Sequence, residues 1–200
     1  MSKTTTSGAP LQARPFLSTP TMIPQLGPDG KWNGKIVKIE LVLLRSPDGG
    51  ARQHLWLIPD PRPHNHPWLW IDCKVLRGKY RAIEQRPGCH PNNWIESEVT
   101  LTAGDPEHRL WHGEHHQVVE VEPGTISVMS FGPIVGDGKQ WGHLISDGEG
   151  KGHFELAQPM SGFVDALWHC NPHLAKPGWV DPYADQPTPN LMELMASVGA

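Results

Sequence analysis

The sequence predicts an all-β protein, a sandwich or barrel of short strands joined by turns. Glycine and proline number 21 each in 200 residues, which is high for a helical protein and natural for a chain that often reverses direction. Apolar, β-rich runs also alternate with turn residues, as where residues 36–44 lead into Ser46-Pro47-Asp48-Gly49-Gly50. The length fits one domain with its own core.

The elements follow in order along the chain. Residues 1–34 contain five prolines and no periodicity, so we predict an irregular N-terminal arm there. Strands are predicted at residues 35–45, 54–58, 68–76, 79–84, 94–101, 117–121, 125–131, 143–146 and 153–156. Helical signal is confined to residues 161–168 and 190–197, where Asn190 is the expected N-cap. We therefore expect an arm (1–34), a jelly-roll barrel (35–160) and a C-terminal extension (161–200).

Composition excludes several classes of function. The net charge is −4 without a long basic run, so nucleic acid is not an expected partner. No stretch approaches the roughly 20 apolar residues that span a bilayer, and the first residues lack the apolar core of a secretory signal. Cys73, Cys89 and Cys170 are odd in number without C-x-x-C spacing. A reducing, cytoplasmic location is therefore expected, without disulfides or a zinc knuckle.

The residues that point to chemistry are His64 and His66. On an extended chain this spacing places both side chains on one face, with Cα atoms about 7 Å apart. Two imidazoles so placed can reach one ion at nitrogen–metal distances of about 2.0–2.1 Å. A third ligand is needed, and His112, His115 and His116 lie just before the predicted strand 117–121. The sequence therefore predicts a metal site.

The third ligand is ambiguous from the pattern. Alternation groups His115 with Val119 and Val121, and His116 with Val118 and Glu120. Hydrophobic patterning favours the first set as the inward-facing one. We expect His108 and His112 to face solvent in loops.

Asp72 is a further candidate, because perfect alternation would place it on the face of His66. Pro67 is expected to disturb that pleat. The alternatives for Asp72 are a carboxylate behind the ligands or one at a strand edge.

Two segments carry a family resemblance. Residues 60–68, Asp-Pro-Arg-Pro-His-Asn-His-Pro-Trp, and residues 75–80, Val-Leu-Arg-Gly-Lys-Tyr, resemble a group of small cupin proteins of bacteria and phages. Weaker matches follow at residues 116–118, 131–133 and 141–142, so that the resemblance covers roughly residues 53–145. It implies a cupin (jelly-roll) barrel with one metal ion near its mouth. It also favours His116 over His115 as the third ligand.

The resemblance further implies a reaction class. Many cupins add a glutamate to three histidines, and that position holds Ile71 here. Cysteine dioxygenase-like cupins lack the glutamate and keep a three-histidine site. The expected ligands are thus His64, His66 and His116, with Fe(II) as the leading metal and Zn(II), Ni(II) or Mn(II) as alternatives. The open coordination positions favour a non-haem Fe(II) oxygenase, a dioxygenase-like oxidoreductase acting on a small organic molecule.

Other interpretations stay open. A metal-dependent isomerase or hydrolase, or a non-catalytic cupin module for ligand binding or assembly, fits the same site, since one fold hosts many chemistries. A homodimer through the N-terminal arm is also open. No catalytic acid or base is assigned.

Side chains that could contact a substrate are candidates on weaker grounds, because most such residues are core or surface. The aromatic candidates for a pocket wall are Trp68, Trp70, Trp111 and Trp141, with barrel core as the more common role. The cationic candidates for pairing with an anionic group are Lys74 and Arg77, with surface strand positions as the more common role.

Overall fold

The computed structural model describes residues 19–27, 29–89, 93–138, 141–146, 152–156 and 161–200. These residues form eleven strands, two α-helices and one 3-10 helix. The strands are β1 (Thr21–Leu26), β2 (Trp32–Ser46), β3 (Gly49–Trp56), β4 (Trp70–Arg77), β5 (Lys79–Pro87), β6 (Trp94–Thr102), β7 (His108–Trp111), β8 (His115–Val121), β9 (Ile126–Phe131), β10 (Gly142–Ser146) and β11 (Gly152–Leu156). The helices are α1 (Ser161–Cys170), the 3-10 helix Pro172–Leu174 and α2 (Leu191–Ser197).

The strands form two antiparallel sheets. The large sheet has the order β1-β2-β3-β9-β4-β7, and the small sheet has the order β6-β5-β8. Residue His64 pairs by isolated bridges with His116 of β8 and with His143 of β10, so the β10-β11 hairpin continues the small sheet. From β7 to β10, successive strands alternate between the two sheets, which is jelly-roll topology.

The predicted all-β jelly roll with a short helical C-terminal extension is confirmed. Across the described strands the two sheets face each other without closing into a continuous barrel. Asn190 caps α2 as predicted, because its side chain accepts hydrogen bonds from the amides of Met192 and Glu193. No helix within the described ranges is long and apolar enough to cross a bilayer.

Two strands differ from the sequence prediction. β1 lies inside the predicted irregular arm and pairs with β2, with a register shift at Pro24 that tolerates the missing N–H. β7 was not predicted, and it pairs with β4 through residues such as Trp111 and Trp70. Both are edge strands whose structure comes from a distant partner. Residues 1–18 of the predicted arm lie outside the described residues.

Two clusters of buried apolar side chains lie on opposite sides of the large sheet. The inner cluster fills the space between the sheets and includes Trp56, Ile71, Tyr80, Val118 and Phe131. The outer cluster joins the back of β1, β2 and β3 to α1, with α2 packed against it. Asn171, which follows α1, connects this helix to β1. Its side chain accepts a hydrogen bond from the amide of Met22 and donates one to the carbonyl of Met22, each at 2.7 Å.

Candidate metal centre

Three histidines meet at one end of the space between the sheets. The ligand atoms of His64, His66 and His116 lie within 4.8 Å of one another. The Nε2 atoms of His66 and His116 are 3.0 Å apart, close to the separation of about 2.9–3.4 Å expected for two nitrogens on one ion at 2.0–2.1 Å. His64 and His66 are part-buried and His116 is buried. The cluster can therefore be reached from one side.

Backbone pairing brings these residues together across fifty positions of sequence. The amide of His64 donates to the carbonyl of His116, and the amide of His116 donates to the carbonyl of His64, each at 2.9 Å. Asn65, between the two histidines, accepts a hydrogen bond from the amide of Gly142 at 2.7 Å. The segment is thus held as a short strand between β8 and β10. Because His64 and His66 are two positions apart on this strand, both imidazoles point to the same side.

The protonation and orientation of the rings suit metal binding. Burial, reinforced by the neighbouring His64, holds the pKa of His66 and of His116 well below the usual value, so both stay neutral. Neutral imidazole is the form that ligates a metal. His64 places Nδ1 3.2 Å from the carbonyl of Arg62. Donation there would leave Nε2 of His64 for an ion.

The hydrophobic patterning that favoured His115 fails at a bulge in β8. The register with β5 shifts between Val118 and Glu120, so both Val118 and Val121 pack against the inner cluster. His115 instead points to the outer side of the small sheet. Its ring lies edge-on to Trp94, with centroids 4.9 Å apart.

Asp72 does not share the face of the cluster. Ile71 and Cys73 belong to the inner cluster, so alternation turns Asp72 to the other side of β4. There it pairs with Arg109 through two hydrogen bonds of 2.7 and 2.6 Å. Asp72 therefore joins β4 to the edge strand β7, and it is not in the three-histidine cluster.

A buried carboxylate beside the cluster was missed by the sequence analysis. Glu84 is only 2% exposed, and it lies directly opposite His116 in the β5–β8 register, so both side chains leave the same face of the sheet. His108, expected to be a solvent-facing loop histidine, is hydrogen-bonded to Glu84, which raises the pKa of His108. The sequence does carry a sign of this position, because Glu84 alternates with Tyr80 and Ala82 along β5 and so shares their inward face.

The facing wall of the large sheet carries charged and polar side chains. Lys38, Glu40, Arg52 and His54 leave the inner face of β2 and β3, because they alternate with outward residues and pair across the strands. Burial lowers the pKa of His54 to about 4, and the charge of Lys38 adds to that effect. Burial would raise the pKa of Glu40, but its hydrogen bond to His54 and the charge of Arg52 outweigh it and lower the pKa to about 2.

The aromatic candidates divide by position. Trp68 stacks on His66, with ring centroids 5.5 Å apart, and on Phe131 at 4.2 Å. Trp70 and Trp111 lie under Arg109. Trp141 is exposed near His143. Among the four, Trp68 is the one in ring contact with the cluster.

The cationic candidates and the inner cysteine have other surroundings. Arg77 donates to the carbonyl of Gly124, and Lys74 is exposed on β4. Burial raises the pKa of Cys73 to about 11, which makes it a packed thiol without nucleophilic character.

Comparisons with known proteins give structural neighbours alone. No family model matches the chain, and no curated protein matches it in sequence. A double-stranded β-helix protein from Klebsiella pneumoniae is 20% identical with a TM-score of 0.38, covering 62% of this chain and 81% of that one.

Two further neighbours have similar scores. KdgF from a Halomonas species is 19% identical at a TM-score of 0.40, covering 50% of this chain and 83% of that one. The capsular polysaccharide assembling protein CapF from Staphylococcus aureus is 12% identical at a TM-score of 0.40. That match covers 71% of this chain and 33% of the CapF chain, so this chain spans about a third of the CapF length.

Proposed function

We propose that the chain is a mononuclear metal-dependent cupin that acts on a small organic molecule, with His64, His66 and His116 as the metal ligands. The observation that carries the proposal is the convergence of three imidazoles from two distant segments within 4.8 Å. Three protein ligands leave coordination positions open, which separates a catalytic site from a closed structural one. The proposal also includes a cytoplasmic location and assembly of the chain as a homodimer.

The donor set fits a divalent transition metal. Imidazole suits Fe, Zn, Ni and Cu, while a site for Mg or Ca would need oxygen ligands. A metal bound here would supply a Lewis acid that polarises an exogenous ligand. The chain itself would hold the rings of His66 and His116 neutral, fix the direction of all three rings through the 64–116 backbone pairing, and shield one side with Trp68. Fe(II) and oxygenase chemistry are our leading assignment.

A second candidate function is metal-dependent isomerisation or hydrolysis. The pair of Glu84 and His108 favours it, because a buried carboxylate next to His116 can accept a proton and His108 can relay it towards solvent. The side chain of His108 is 25% exposed and that of Glu84 is 2% exposed. Oxygen uptake separates the candidates, since isomerisation and hydrolysis consume no O2.

The test is elemental analysis of protein purified without a histidine tag or chelator. We expect near-stoichiometric metal in the native chain and its loss in the His64→Ala/His66→Ala double variant. The matched control is His153→Ala, because the side chain of His153 is 66% exposed on β11. Circular dichroism of all three proteins establishes that each has folded.

The identity of the metal directs the next step. Iron supports the oxygenase assignment and calls for O2-uptake assays with small thiols, acids and aromatics. Zinc or nickel supports isomerisation or hydrolysis. If native protein stays metal-free after incubation with Fe(II), Zn(II) and Ni(II), the proposal is wrong and a non-catalytic binding or assembly module becomes the better interpretation.

A further inference from the structure

A cavity of about 290 Å³ opens beside Trp68, whose ring stacks on His66 of the three-histidine cluster. Its walls are the turn between β2 and β3 on one side and the end of β9 on the other. The residues that line it include Arg45, Arg52, Trp68, Phe131, Gly132 and Ile134. Its volume suits a small organic molecule.

The charged side chains that line this cavity are basic. None of the described residues that line it is acidic, and two are arginines. Arg52 donates one hydrogen bond from Nη1 to Glu40 at 3.0 Å. Its Nε is buried and has no hydrogen-bond partner among the described residues. A buried donor without a partner costs free energy. The Arg52 side chain as a whole is 25% exposed, so its guanidinium is open to an acceptor from outside the chain.

The cavity also presents a flat apolar wall. Trp68 and Phe131 are stacked, with ring centroids 4.2 Å apart, and the guanidinium of Arg52 lies 5.1 Å from the Trp68 ring centre and 5.3 Å from that of Phe131. Gly132 has no room for a side chain, because a Cβ there would lie 2.5 Å from the Trp70 ring. The planar wall and the planar cation favour a planar anion.

We propose that this cavity binds the carboxylate of a small planar organic acid, with Arg52 as the principal contact and Arg45 at the rim. The inference rests on the proposed function in one respect: it makes such acids the substrate class of the neighbouring metal site. Trp68 connects the two, since its ring stacks on His66 and also lines the cavity. Arginine and carboxylate form charge-assisted pairs that a neutral isostere cannot form.

Benzoate is the probe, and benzamide is its neutral isostere. Binding is followed by NMR at the indole N–H of Trp68, and metal content is measured on the same samples. We expect benzoate to shift this resonance and to bind about tenfold more tightly than benzamide. Arg45→Gln changes an exposed residue, and we expect it to weaken benzoate binding about two- to threefold.

Removal of Arg52 needs a paired variant, because Arg52→Gln alone would leave Glu40 without its ion-pair partner. The comparison is therefore Glu40→Gln against Glu40→Gln/Arg52→Gln, and we expect about tenfold weaker benzoate binding in the double variant. Equal affinity for benzoate and benzamide, or equal affinity of these two variants, would overturn the proposal. So would an unshifted Trp68 resonance.

The outcome is distinguishable from that of the metal proposal. Benzoate binding in native protein that takes up no metal would keep the carboxylate cavity and reject the metal-dependent function. Stoichiometric metal without charge-selective benzoate binding would keep the metal site and reject the cavity as its acid-binding part.

Discussion

The two sides of the large sheet differ in chemistry although the same strands form both. On the outer side, Leu55 and its neighbours pack against α1 and α2 in an apolar cluster. On the inner side, His54 and Trp56 come from the two positions of β3 that flank Leu55, and they lie among charged groups of β2. Alternation along one strand thus builds a stabilising face and a candidate functional face at once.

The two sides of the sheet also differ in how they contribute to stability. The outer side is closed by the C-terminal extension and gains from apolar burial. The inner side buries His54 and half-buries Glu40 and Arg52, which is unfavourable unless they are paired. Glu40 satisfies this need by contacting both Arg52 at 3.0 Å and His54 at 3.4 Å.

The largest expected effect on stability comes from truncation on the outer side. Leu55 is 9% exposed within the outer cluster, and Leu55→Ala is expected to lower the free energy of unfolding by about 2–4 kcal/mol. Urea denaturation measures the loss, and metal content should be unchanged. The matched control is Leu76→Ala, since Leu76 is 52% exposed. An equal loss in the two variants would show that the outer cluster does not carry this stability.

A smaller effect, specific to the inner side, is expected in acid. The pKa of His54 is near 4 in the folded chain and 6.5 as the reference value, so the unfolded chain binds more protons between these pH values. The pKa of Glu40 is near 2 against 4.5 and acts in the same direction at lower pH. Stability should therefore fall as the pH drops from about 6.5, first through His54 and then through Glu40.

Thermal denaturation between pH 7 and pH 3 checks this dependence. A His54→Phe/Glu40→Gln variant should show a shallower decline, because neither new side chain titrates there. A decline as steep as that of the native chain would place the acid sensitivity elsewhere. Leu55→Ala is the matched comparison, since it lowers stability at every pH without changing the slope.

The smallest effect is expected at Asp72, which the β4 alternation turns away from the histidines. Asp72→Asn should leave metal content unchanged, because the carboxylate pairs with Arg109. We expect a decrease in melting temperature smaller than that of Leu55→Ala. Loss of metal in folded Asp72→Asn would contradict the separation of the two faces.

The sequence was sufficient for those features that depend on neighbours along the chain. Turn chemistry and short β-rich runs predicted most strands, and Asn190 predicted the start of α2 correctly. β1 and β7 were missed because they gain their hydrogen bonds from β2 and β4. The His115 pattern misled because a bulge changes which residues of β8 face inward.

The sequence by itself determined that His64 and His66 share one face, since the period of two is a property of any extended chain. Tertiary structure decided the rest of the site. The pairing of residue 64 with residue 116 brings His116 next to His64 and His66, and the β5–β8 register places Glu84 beside His116. Arg52 reaches the same end through the large sheet, because strands far apart in sequence meet only once their apolar faces are buried.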